Sequence, residues 1–251
     1  METIVCANAK GGILKSSLAL TMAEVLSSMG KKVLLIDTDY QGNSSKVMRA
    51  NTSRSIYGVL TGAYPIRSAI QEIEIGHMVA SSREMALLDS TLTGSRRVLR
   101  LRDALEDIKD LFDYVIIDTP PSLGQATMNA LAAADEVIIP TQADGFSIDG
   151  IKSLLTTIET VKQVNPEIHI SGILRTRYND RSNLSRYATQ QLKELAEDIG
   201  TVVYDAYIRE NVKAKEAQMM LEPLLKYDPT CNAAVDYQNF VKEYLERKEK
   251  E

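Results

Sequence analysis

The chain has 251 residues, 44% of them hydrophobic and 25% charged, with a formal net charge of −5. That length can bury a sizeable core, as one large α/β domain or two small ones, and the acidic balance excludes a protein that coats nucleic acid with its whole surface while leaving room for one basic patch. No apolar run approaches the roughly 18 residues of a spanning helix, and Lys10 interrupts the start too early for a signal peptide, so a cytoplasmic protein with no membrane partner is expected.

In chain order, Thr3–Ala7 reads as a first strand, followed by a glycine loop and a helix over 15–29. Lys32–Asp37 is a second strand, and 50–94 is less regular, punctuated by Gly58, Gly62, Pro65 and Gly76. A helix over 95–110 leads to a strand at Tyr114–Asp118. Helices at 124–133, 147–164 and 183–198 then alternate with strands at Glu136–Pro140 and His169–Leu174. The tail from Cys231 to Glu251 reads as a helix that docks on the domain through Ala234, Tyr237, Val241 and Tyr244. Strand–helix alternation with almost wholly apolar runs such as VLLID and YVIID predicts a doubly wound, mainly parallel sheet covered by helices on both faces, in a single domain. Cys6 and Cys231 lack metal-ligand spacing and read as reduced structural thiols; His77 and His169 are isolated and read as structural.

The chemistry concentrates at Ala9-Lys10-Gly11-Gly12-Ile13-Leu14-Lys15-Ser16-Ser17, between the first strand and the first helix. Successive backbone N–H groups of such a loop point inward, and the helix dipole favours the same anion, so the segment is a phosphate cradle. Lys15 reaches the β- and γ-phosphates and the Ser16 hydroxyl ligates Mg²⁺. Phosphate nests alternate right- and left-handed residues, which places Gly12 and Leu14 at the left-handed sites; leucine there costs about 1–2 kcal/mol relative to glycine. Asp37 and Asp39 in Asp37-Thr38-Asp39-Tyr40-Gln41-Gly42-Asn43, and Asp118 in Tyr114-Val-Ile-Ile-Asp118-Thr119-Pro120-Pro121-Ser122-Leu123, lie where a doubly wound sheet binds its ligand. Asp118 holds a metal-bound water or orients Ser16; Asp37 is either a supporting partner or a strand-end cap.

These motifs, with Lys10 ahead of the glycines, resemble the deviant Walker A ATPases of the ParA and MinD family, closest to small ParA (Soj-like) proteins. The likeness continues through Ala134–Gln142 and Lys226–Pro229 and is weakest from 50 to 90. Leucine at 14 stands where the family has glycine, and Tyr40 where it has proline. The resemblance implies an ATPase using ATP and Mg²⁺, weak without its partner, that forms a homodimer with ATP between the subunits. Lys10 then reaches the partner's nucleotide, and Asp39 positions the hydrolytic water and the metal. It further implies non-specific DNA binding at the nucleoid through Arg181, Lys213 and Lys215, among basic positions that include Arg175, Arg177, Arg186 and Arg209. A ParB-like cargo adaptor stimulates hydrolysis, and plasmid, chromosome or mobile-element segregation follows. Arg96, Arg97, Arg100 and Arg102 read as a solvated helix face. An N-terminal operator-binding domain is not expected. Alternatives are a nucleotide-binding DNA scaffold with little turnover, and a MinD-like membrane ATPase, which the mixed-charge tail disfavours. An iron–sulfur reductase of the same superfamily would need paired cysteines.

Overall fold

A computed structural model describes residues 1–144 and 147–250. Its strands are β1 (Glu2–Cys6), β2 (Val33–Asp37), β3 (Gln71–Ile73), β4 (Gly76–Val79), β5 (Tyr114–Asp118), β6 (Glu136–Gln142), β7 (His169–Tyr178) and β8 (Val203–Arg209). The helices are α1 (Lys15–Ser28), α2 (Asn43–Val47), α3 (Ile56–Thr61), α4 (Leu88–Thr91), α5 (Arg100–Glu106), α6 (Gln125–Ala133), α7 (Ser147–Val161), α8 (Asn183–Asp198), α9 (Val212–Met220), α10 (Leu224–Tyr227) and α11 (Asn232–Lys248).

One sheet runs through the described residues in the order β3-β4-β2-β5-β1-β6-β7-β8, parallel except for the β3–β4 hairpin at one edge. Each central strand feeds two cores because successive side chains alternate between faces. Val5, Leu34, Ile36, Val115 and Ile117 face the layer that includes α5, α6 and α7. Ile4, Cys6, Leu35, Ile116 and Ile138 face α1 and α11. Helix α1 is buried from Leu18 to Leu26, as a helix apolar on nearly all sides must be when it lies between a sheet and another helix. The expected apolar stripe of the tail is borne out: Ala234, Tyr237, Val241 and Tyr244 are all buried.

Three elements differ from expectation. The helix over 95–110 contracts to Arg100–Glu106, because Gly94 takes a left-handed turn (φ 87°) and the following residues form turns. Arg96 and Arg97 therefore precede the helix. Arg96 pairs with Asp103 at 2.7 Å, and Arg102 is half-buried with its guanidinium donating to the Val164 carbonyl. Strand β7 runs on to Tyr178, and β8 was not anticipated. His77 packs edge-on against Phe112, while His169 is largely exposed, 3.7 Å from Glu136.

Candidate nucleotide site

Parallel pairing sets the site. Cys6 and Asp37 are both in register with Asp118, so the β1 exit and both acidic strand ends meet at one carboxyl-terminal edge. The loop from β1 into α1 arches over that edge with Gly12 at φ 74° and Leu14 at φ 69°, ψ 27°. The two left-handed positions expected of a phosphate nest are therefore present, and leucine carries one of them. The Thr176 hydroxyl of β7 donates to the Ile13 carbonyl at 3.2 Å, and the Thr119 hydroxyl, just after β5, donates to the Cys6 carbonyl at 2.8 Å, which ties the loop and its base to strands on either side of β1. A methyl group on Gly11 would lie 3.8 Å from the Pro121 side chain, so the proline turn after β5 leans on the loop.

A cleft of about 550 Å³ opens here, lined by Gly11, Gly12, Leu14, Lys15, Ser16, Ser17 and Asp39 among others, and extends to Ile208, Ala217 and Leu221. Its volume lies within the range of small-molecule sites. A larger cleft of about 930 Å³ lies at the opposite edge, where Lys248 bridges Glu2 and Glu136; none of the phosphate-loop motifs reaches it.

Lys15 is 7% exposed, and its ammonium donates to the Lys10 carbonyl at 2.9 Å. Burial lowers its pKa, with Asp118 and Asp39 pulling the other way. Burial also raises the pKa of Asp118, which the Ser44 and Ser16 hydroxyls partly offset. The Ser44 hydroxyl donates to Asp118 Oδ2 at 2.6 Å, while Oδ1 is buried with no hydrogen-bond partner among the described residues. A carboxylate oxygen orphaned beside Ser16 and near Asp39 matches the hard-oxygen ligand set of Mg²⁺, which takes one or two carboxylates and completes its shell with water and phosphate. The residues fit that ion.

Asp39 accepts the Gln41 N–H at 2.9 Å and is 6% exposed, at the cleft wall. Asp37 is wholly buried; its carboxylate takes the Ser45 N–H (2.9 Å), the Ser45 hydroxyl (2.7 Å) and the Asp39 N–H (3.0 Å). Asp37 thus organises the turn that presents Asp39, which supports the strand-end cap. Its pKa is raised by burial and then by the Asp118 charge. Ser44 escaped the sequence reading although it directly follows Asn43. The buried Cys6 thiol is held well above its ordinary pKa by burial and by Asp118, as suits an inert cysteine.

Lys10 does not line the cleft. Its ammonium lies 2.5 Å from Asp144 Oδ2, on the shoulder that follows β6.

The basic positions separate into three groups. Arg175 is 8% exposed, donates to the Tyr204 and Asp205 carbonyls and stacks with Tyr178 and Tyr207, so it belongs to the sheet interior and not to a DNA face. Arg209 is clamped by Asp236 at 2.6 Å, and Arg177, exposed with φ 48°, lines the cleft. Arg181, Lys213 and Lys215 are exposed. Tyr178 pairs with Arg209 across β7 and β8, so the turns bearing Arg181 and Lys213 leave the sheet side by side. Lys213 pairs with Glu216 (2.8 Å) and Lys215 with Glu210 (2.6 Å).

Comparison with known proteins agrees with this geometry. Residues 1–170 match the family model described as an AAA domain. The chain is 36% identical to the chromosome partitioning protein ParA of Caulobacter vibrioides, covering 98% of this chain and 95% of that one. It is 34% identical to the chromosome-partitioning ATPase Soj of Treponema pallidum, with 98% of each covered. Among solved structures, cobyrinic acid a,c-diamide synthase from Mycobacterium smegmatis with bound ATP analogue and magnesium superposes with a TM-score of 0.81 at 27% identity, covering 99% of this chain and 96% of that chain.

Proposed function

The chain belongs to the ParA/Soj family of partitioning ATPases, and from that premise we propose that it is an ATP-switched positioning dimer that tracks on DNA. ATP occupies the cleft between the 10–17 loop, Asp39 and Asp118. Two chains close around the nucleotides, each Lys10 reaching the other's phosphates. The dimer binds DNA without sequence preference, and a ParB-like cargo adaptor stimulates hydrolysis and release. The observation that carries the reading is that Lys15, Ser16 and Asp39 line one cleft, with the buried Asp118 interacting with all three, while Lys10 lies outside it.

Hydrolysis is phosphoryl transfer to water and needs positioning and charge neutralisation more than a protein nucleophile. The backbone N–H groups of 11–17 cradle the phosphates, and Lys15 supplies fixed positive charge in a site with little water to screen it. Asp39, its carboxyl steadied by the Gln41 N–H, orients the attacking water. Ser16, Asp39 and Asp118 would hold Mg²⁺, which would neutralise charge on the phosphate oxygens. With neither DNA nor adaptor present, turnover is slow.

The test is ATP turnover and DNA retention measured together. ATP, but not ADP, is expected to bring DNA binding that weakens as salt rises, because each neutralised phosphate releases counterion. Dimers that form with ATP yet show no DNA affinity at low salt would overturn the DNA track and leave the nucleotide switch standing.

A further inference from the structure

The ion pair of Lys10 belongs to a bracket built around that residue. The Lys10 backbone N–H donates to Asn8 Oδ1 at 3.1 Å, and the buried Asn8 amide donates in turn to the Pro140 carbonyl of β6 at 2.9 Å. Helix α7 meets the same point through a glycine: a Cβ on Gly150 would lie 2.9 Å from Asn8 Oδ1 and 3.6 Å from Lys10 Cβ. The Lys10 ammonium reaches Asp144 at 2.5 Å, with side-chain exposures of 28% and 35%. The backbone of one phosphate-loop residue is thus tied through Asn8 to β6 and its side chain to the segment that follows β6, while Lys15 of the same loop lines the cleft.

We propose that Asp144 is a positioning residue for Lys10. In the single chain it holds the lysine on the β6–α7 shoulder, outside its own nucleotide cleft, and it must release the ammonium when a second chain presents ATP. This rests on the reading that Lys10 acts across the dimer. Release is an exchange of anions: one partly exposed carboxylate is given up for a triphosphate of higher charge. The pair opens only in the ATP-bound dimer, so it weakens that dimer by its own free energy and sets the concentration at which the switch closes. A pair this exposed contributes about two- to fivefold. Two open per dimer, so removing the carboxylate should tighten the ATP-bound dimer about four- to twenty-five-fold.

The experiment uses the full chain with a non-hydrolysable ATP analogue, measuring the dimer dissociation constant by analytical ultracentrifugation and nucleotide affinity by fluorescence titration. Asp144→Asn is expected to dimerise four- to twenty-five-fold more tightly with unchanged nucleotide affinity, and Asp144→Glu, which keeps the charge, to stay within twofold of wild type. Adding Lys10→Ala should abolish the gain. Asp144→Ala serves the same comparison if the asparagine variant melts early. If Lys10→Ala cannot dimerise but Asp144→Asn dimerises no better than wild type, the role given to Asp144 is wrong and that of Lys10 survives. Normal ATP-dependent dimers from Lys10→Ala overturn both.

Discussion

Replacing Leu14 tests whether the phosphate loop keeps its shape in solution. Leu14 sits at φ 69° and ψ 27°, the first capping position of α1, with its side chain half-buried against the core on the α1 face. Leu14→Gly removes about 1–2 kcal/mol of left-handed strain. Against this stand the lost half-burial of a leucine, about 1 kcal/mol, and the larger unfolded-state freedom of glycine, about 0.5–1 kcal/mol. The contributions nearly cancel, and at about 2–4 °C per kcal/mol for a chain of this size, Tm should move by no more than about 4 °C. ATP affinity should change by less than about fivefold, because the backbone N–H groups keep their places. Leu14→Val behaves differently: a β-branched residue is a steric outlier in this region, so it adds strain while losing packing. A loss of about 1–2 kcal/mol and a drop of about 2–8 °C follow. Differential scanning calorimetry with ATP titrations decides. A valine variant as stable as wild type, or a glycine variant binding ATP more than tenfold tighter, would refute a left-handed Leu14 in a ready-made loop.

Lys15→Ala should abolish nucleotide binding in an equilibrium titration, since it removes the buried cation of the cleft; retained affinity within threefold would remove Lys15 from the phosphate site. Asp39→Ala should still bind ATP and dimerise but lose at least about a hundredfold in turnover, in the range for a positioned catalytic group, and wild-type phosphate release would clear Asp39 of that role. Arg181→Glu with Lys213→Glu should eliminate DNA retention while sparing ATP-dependent dimers, whereas Arg96→Glu with Arg97→Glu should not; the opposite pattern in filter binding would move the DNA face. Glu24 links stability to pH: burial raises its pKa from 4.5 to about 7, although the Leu225 and Lys226 N–H groups donate to it. Between those values the folded chain binds a proton that the unfolded chain releases, so this contribution is full below pH 4.5 and lost as pH rises through 7. The loss is at most about 3 kcal/mol, and Glu24→Gln should flatten the fall in Tm between pH 5 and 8.

The candidate nucleotide cleft was legible because the residues that line it lie in contiguous segments at strand ends. A parallel sheet turns such segments into neighbours without long-range knowledge: once Tyr114–Asp118 is a strand between β1 and Val33–Asp37, Asp37, Asp118 and the glycine loop must share an edge. The left-handed state of Leu14 was legible for the same local reason, as it follows from the conformational alternation of a phosphate nest. The Lys10–Asp144 pair was not, because the partners stand 134 residues apart and nothing in either segment names the other. Ser44 was missed only because its hydroxyl looks like any helix-start serine until Asp118 is placed opposite it.

The basic residues show where pattern reading gives out. In a regular strand Arg175 and Arg177 would share a face, and both would have been solvated or both buried. The pairing of β7 with β8 slips between Ile173 and Arg175 and again between Thr176 and Tyr178, and Arg177 turns left-handed at φ 48°. The irregularity separates the two arginines: Arg175 is packed between tyrosine rings, and Arg177 stands exposed at the cleft. Strand β8 was overlooked on related grounds, since Asp205 and Arg209 interrupt its apolar pattern and both are answered from α11, by Arg247 and Asp236. Charge counted along the sequence therefore overstates the surface available to DNA. Arg175 and Arg209 are committed to the fold, Lys213 and Lys215 each face a glutamate, and one chain presents a thin patch. A phosphate track needs many such contacts at once, which is the physical reason to expect DNA binding only after ATP has brought two of these edges together.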